Sequence, residues 1–204
     1  MATATLAPPT HSSLPAKSAL FRLSVQQYHK MIANNILTTE SKVELIDGYL
    51  VNKLPQNNAH SSTIQRLDQR LHRIMPDGWE VRVQLPVTLS QSVPEPDVVI
   101  VRGDDRSFDL GNPMPTHFGI VMEIADSSLA FDRDIKLELY ADAGIPEYWI
   151  VNLVDAYIEV YTQPVNNTIH SVYMSRMTYS PGQQVPVVLD GVAIGSLAVA
   201  DLLP

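Results

Sequence analysis

The run F-G-I-V-M-E-I-A at 118–125 constrains this chain more than any other stretch. It is apolar on both alternating faces, the pattern of a central strand covered on each side, yet it carries Glu123 near its end. An ionised carboxylate in such a place is expensive to desolvate, so a cation, a lysine or a set of hydrogen-bond donors must lie close by. That partner has to come from elsewhere in the chain.

With 204 residues, 45% of them hydrophobic, the chain can bury one sizeable core and is short for two. We expect a single domain over 21–204, after a tail at 1–20 whose Ala, Thr, Pro and Ser content reads as disordered. The absence of cysteine excludes a disulfide framework, a thiolate zinc site and a cysteine nucleophile, and it suits a cytoplasmic protein. No apolar run approaches the roughly 18 residues of a membrane helix, and no basic and apolar leader is read at the N-terminus. The net charge of -8 repels polyanions, so contact with nucleic acid needs a local basic patch or a bound divalent cation.

Along the chain, Ser24 caps a helix expected over 24–34. V-E-L-I-D-G-Y-L-V at 43–51 reads as a hairpin about Asp47-Gly48, with Glu44 on its first strand. Ile64, Leu67, Leu71 and Ile74 fall at helical spacing within 57–75, with Arg66, Arg70 and Arg73 in a stripe that reads as a solvated face or a basic patch. Strands are expected at 79–89 and 97–101, and the polar segment 102–116 as a loop at the rim of the site. A helix follows from about Asp132 to Ala143, with Ile135 and Leu139 facing the core and Lys136 and Tyr140 one step around, Lys136 able to reach the sheet edge. Strands at 145–151 and 157–161, further strand-like pieces and a short closing helix at 194–203 complete an α/β sandwich.

Asp97 and Glu123 on neighbouring strands, with Glu44 nearby and Lys136 beside them, make a hard oxygen site suited to magnesium or manganese. A cation there activates water and neutralises charge on a phosphoryl group, and a lysine steadies the developing charge. The same residues also read as a buried Glu123–Lys136 ion pair, with Asp97 a turn residue at a strand end. Ser127 and Ser128 lack the G-x-S-x-G setting of a serine hydrolase, and neither a phosphate loop nor H-E-x-x-H occurs.

Five motifs stand in one order: E-L-I-D-G at 44–48, P-D-V-V-I-V at 96–101, M-E-I-A-D-S-S at 122–128, the Lys136 and Tyr140 pair, and A-G-I-P-E-Y-W-I-V at 143–151. In these the chain, over about 24–161, resembles the Uma-type family of bacterial restriction endonucleases in the PD-(D/E)XK nuclease superfamily. The resemblance implies a restriction-endonuclease-like α/β core, a central mixed sheet flanked by helices, here with additional C-terminal strands. It implies hydrolysis of DNA phosphodiesters with Mg2+ or Mn2+, and cleavage of both strands would call for a homodimer. By motif position Asp97 matches the Asp of the Pro-Asp signature and Glu123 the acid of E-x-K. Ala125 stands where the lysine of that signature belongs, so Lys136 on the following helix is the implied replacement. Glu44 matches an additional early glutamate that would ligate metal directly or through water. His60 and Tyr140 are secondary candidates, His60 as a phosphate contact or a helix cap and Tyr140 as a partner of a site carboxylate. The other reading is a catalytically inactive regulatory or binding protein that keeps the nuclease fold. The acidic charge favours it, whereas retention of Glu44, Asp97, Glu123 and Lys136 together favours the enzyme.

Overall fold

Three strands, β4 (Val98–Arg102), β5 (Phe118–Ala125) and β6 (Glu147–Asn152), carry apolar side chains on both faces because both faces are covered. The computed structural model describes residues 20–104, 106–166 and 170–204, so the tail expected at 1–20 lies, but for Leu20, outside the described residues. A six-stranded sheet runs β3-β4-β5-β6-β7-β8, with β3 (Trp79–Val83) and β8 (Val172–Tyr179) at its edges and β7 (Tyr157–Val165) beside β6. Every neighbouring pair is antiparallel except β5 and β6, which are parallel and joined by a helical crossover, so the sheet is mixed as expected.

One face takes Val98, Ile100, Ile120, Met122, Ile124 and Trp149 against α2 (Asn58–Ile74), which contributes Ile64, Leu67 and Leu71. The other takes Val99, Val121, Tyr148 and Ile150 against Tyr140 of α4 (Leu137–Asp142) and Ile145. Glu123 alternates with Met122 and Ile124 and therefore points to the second face, beneath the crossover. A smaller cluster of Tyr28, Leu45 and Val93 holds α1 (Val25–Ala33) to the hairpin of β1 (Val43–Ile46) and β2 (Tyr49–Asn52). Asp47 and Gly48 turn this hairpin at φ 49° and 78°, where a side chain on Gly48 would meet the Arg22 Cβ at 2.9 Å.

Several expectations are revised. The strand expected to run to residue 89 ends at Val83, because Gln84 turns left-handed at φ 50°. The described residues of the loop expected at 102–116 pack Phe108 on the second face and do not line the site; residues 53–57, after β2, take that place. The closing helix is instead β10 (Val192–Ala198), paired with β9 (Gln184–Leu189), before a single turn at Val199–Asp201. Gly195 permits that pairing close to α2, since a Cβ there would stand 3.1 Å from Ile74 Cδ1. The arginine stripe divides. Arg66 donates to the Leu202 and Leu203 carbonyls, Arg70 pairs with Asp201, and Arg73 is exposed. Among the described residues no helix is long and apolar enough to cross a membrane.

Candidate functional site

Glu123 is 3% exposed at its place in β5 and answers the demand that its sequence context sets. Its Oε1 accepts hydrogen bonds from Lys136 Nζ at 2.8 Å and from Tyr140 Oη at 2.7 Å. Lys136 therefore reaches Glu123 from the crossover, thirteen residues on in sequence. Its Nζ also stands 4.0 Å from Glu44 Oε1 and 4.0 Å from Asp132 Oδ1.

The crossover is shaped for this. It opens with α3 (Leu129–Phe131), continues as a five-residue π-helical turn at Asp132–Lys136, and ends as α4. The wide turn shifts the helical phase, so Asp132, Lys136 and Tyr140 are the buried residues whereas Ile135 is 38% exposed. This corrects the expected placement of Ile135 in the core, and it presents a polar stripe to the one polar position on the strand below. Leu139 is half-buried against the second face, as expected.

Asp97, one residue before β4, is fixed through Oδ2. That atom accepts the Ile124 N–H at 2.8 Å and lies 3.1 Å from His60 Nε2. Its Oδ1 is 3.5 Å from Gln84 Nε2, and the left-handed turn at Gln84 brings that amide there. His60 occupies the first turn of α2, where its backbone N–H donates to the Asn57 cap at 2.9 Å. The cap is thus Asn57, which frees the imidazole to face Asp97; its Nδ1 is buried with no hydrogen-bond partner. Glu44 accepts the Glu95 N–H through Oε2 at 3.1 Å, leaving Oε1 towards Lys136.

The structure thus gathers Glu44, Asp97, Glu123, Lys136 and His60 around one cavity of about 360 Å3, with Tyr140 behind Glu123. Sequence reasoning missed Asp132, although its i, i+4 relation to Lys136 was legible. It also missed Gln84, whose approach depends on a backbone turn that no residue pattern announces.

Burial pushes the Glu123 carboxyl up to about 8; Asp97 and Asp132 add to the effect and Lys136 opposes it. Burial likewise raises Asp132 to about 6 against the pull of Lys136 and Ser128, whose hydroxyl donates to Oδ2 at 2.6 Å. Burial opposes the Lys136 charge, but Glu123, Glu44 and Asp132 together raise its pKa above the ordinary lysine value. Burial and the Glu123 charge hold Tyr140 protonated, as the donor its geometry requires.

Burial thus resists the ionisation of Glu123 and Asp132 even beside one ammonium, and the side-chain donors lining the cavity are mostly oxygens. Oxygen ligands of this kind fit a hard divalent cation, whose charge favours the ionised carboxylates. Among the described residues no three carboxylate or imidazole groups converge as an ion cage as they stand, and Lys136 occupies the middle of the acidic cluster.

A model of the Uma2 family, described as "Putative restriction endonuclease", matches residues 25–195. Among solved structures, a protein from Anabaena variabilis titled "putative nuclease belonging to DUF820" superposes with a TM-score of 0.67 at 15% identity, over 88% of this chain and 97% of that one. At that identity the likeness shows the fold. A comparison with curated proteins finds no match.

Proposed function

Since the chain belongs to the Uma2 family of restriction-endonuclease-like proteins, we propose that it is a metal-dependent endonuclease hydrolysing DNA phosphodiesters, with residues 21–204 acting as one nuclease unit. The observation that carries this reading is Lys136 Nζ at 2.8 Å from Glu123 Oε1, which returns a lysine from the crossover to the acid whose own strand has Ala125 in its place.

Glu44, Asp97 and Glu123 would hold Mg2+ or Mn2+, with Asp132 at hand as a fourth carboxylate. When bound, such an ion supplies Lewis-acid polarisation of the phosphoryl group. The chain's own residues do the rest. The Ile124 N–H fixes the orientation of Asp97, and Tyr140 holds Glu123 so that its second oxygen is left to the cavity. Lys136, kept protonated, orients the attacking water and stabilises the charge that develops on the phosphate oxygens. Cleavage of both strands would pair two copies as a homodimer.

The second reading, an inactive protein of the same fold that binds a partner, is favoured by the position of Lys136 among the carboxylates and by the net charge of -8. Incubation of plasmid and single-stranded DNA with magnesium or manganese, beside Asp97→Ala and Lys136→Ala, separates the two. We expect cleavage by the parent protein and at least a hundredfold loss in each variant. No cleavage by the parent, or equal cleavage by all three, overturns the nuclease reading.

A further inference from the structure

From the walls of the cavity we infer that the site takes an unpaired nucleotide, so that its substrate is single-stranded, gapped or frayed nucleic acid in preference to an intact duplex. This rests on the nuclease reading for the identity of the ligand, but its own support is the depth, lining and charge of the cavity and not the chemistry of its carboxylates.

The first support is depth. Glu44, Asp97, Glu123, Asp132 and Lys136 are between 1% and 8% exposed, so a phosphate must enter the cavity to reach them. Two of the lining residues, Asn57 at the start of α2 and Asp126 just after β5, are joined by an exposed hydrogen bond in which the Asn57 amide donates. A phosphate within a rigid duplex brings its neighbours with it, whereas a single strand can thread one nucleotide inwards.

The second support is the lining. Phe131, Leu54, Pro55 and Val51 form an apolar wall beside the acidic cluster. Phe131 is half-buried, yet it belongs to none of the three apolar cores and has no aromatic partner among the described residues. Leu54 is 52% exposed. An aromatic ring that lines the cavity and joins none of the apolar cores, beside apolar side chains and neutral amides, suits the stacking of a base. The volume of about 360 Å3 lies within the range of small-ligand pockets.

The third support is charge. A duplex presents about one negative charge per 1.7 Å of axis and a single strand about half that density. A chain of net charge -8, whose Arg66 and Arg70 are committed to its own C-terminal segment, is better matched to the less charged form.

The test is fluorescence anisotropy of the full chain with a labelled 20-nucleotide single strand, the same sequence as a blunt duplex, and that duplex carrying a three-nucleotide gap, all with calcium present. We expect the single strand and the gapped duplex to bind at least tenfold more tightly than the blunt duplex. Phe131→Ala and, at a more exposed position, Leu54→Ser should each lose most of that preference, and Phe131→Trp should keep it. Equal or tighter binding of the blunt duplex, or a preference untouched by Phe131→Ala and Leu54→Ser, overturns the inference. Binding preference decides this point whether or not any strand is cut; cleavage with magnesium or manganese decides the nuclease reading separately.

Discussion

Lys136 Nζ and Glu123 Oε1 meet at 2.8 Å across the gap between a π-helical turn and a central strand, and neither group is more than 7% exposed. Removing one member of a buried pair strands the other, at about 3–5 kcal/mol, whereas removing both is often close to neutral. Lys136→Met is therefore expected to lower stability at pH 8 by about 3 kcal/mol, with Glu123→Gln/Lys136→Met recovering at least half. Urea denaturation of the parent, both single variants and the double variant measures this, and additive losses would contradict it.

Metal binding has a readout that needs no cleavage. A ligand at 100 times its Kd stabilises a native protein by about 2.7 kcal/mol, a rise in Tm of about 5 °C or more for a chain of this size. Magnesium or manganese should give such a rise for the parent protein and almost none for Asp97→Asn or Glu123→Gln. A shift of the same size in those variants would place the ion elsewhere.

Glu147 offers a pH test outside the cavity. Burial pushes its carboxyl up to about 7, although Trp149 Nε1 donates to Oε1. A folded-state value above the ordinary 4.5 means that the favourable contribution is complete below 4.5 and is lost as pH rises through about 7, by up to about 3 kcal/mol. Glu147→Gln keeps an acceptor for Trp149 and removes the titration. Its Tm should exceed that of the parent at pH 8.5 and converge with it or fall below it at pH 5, as calorimetric scans at the two pH values would show.

The arginine stripe of α2 makes an opposite pair of expectations. Arg66 spends its donors on the Leu202 and Leu203 carbonyls, so Arg66→Ala should lower stability by about 1–2 kcal/mol. It should leave the salt dependence of nucleic-acid affinity unchanged, whereas a phosphate contact would reduce the slope by about one. Urea denaturation and a salt titration of binding separate the two roles.

What could be read in advance follows from how local each signal was. The strand at 118–125 and the Asp47-Gly48 hairpin were legible because alternation and turn chemistry are written in adjacent residues. Glu44, Asp97, Glu123 and Lys136 meet in one cavity, as their motif order suggested. The facing of Ile135 was not legible, since regular spacing assumes 3.6 residues per turn and a π turn breaks that assumption. Nor was the closing strand, because β10 is held by pairing with β9 and by the approach to Ile74 that Gly195 allows. Asp132 was read only as the start of a helix; its meaning depends on Lys136 pointing inwards, which only packing decides.

The turn at Asp132–Lys136 is, in geometric terms, one residue more than an α-helix would use. Deleting a residue within it would leave a regular helix still joining β5 to β6, with the turns on either side in nearly the same phase. Asp132 and Lys136 would then stand at i, i+3 and still share a face. A gap of a single position here is therefore compatible with the stripe that faces Glu123, and the length of the crossover does not by itself separate chains that keep the acidic cavity from chains that keep only the scaffold.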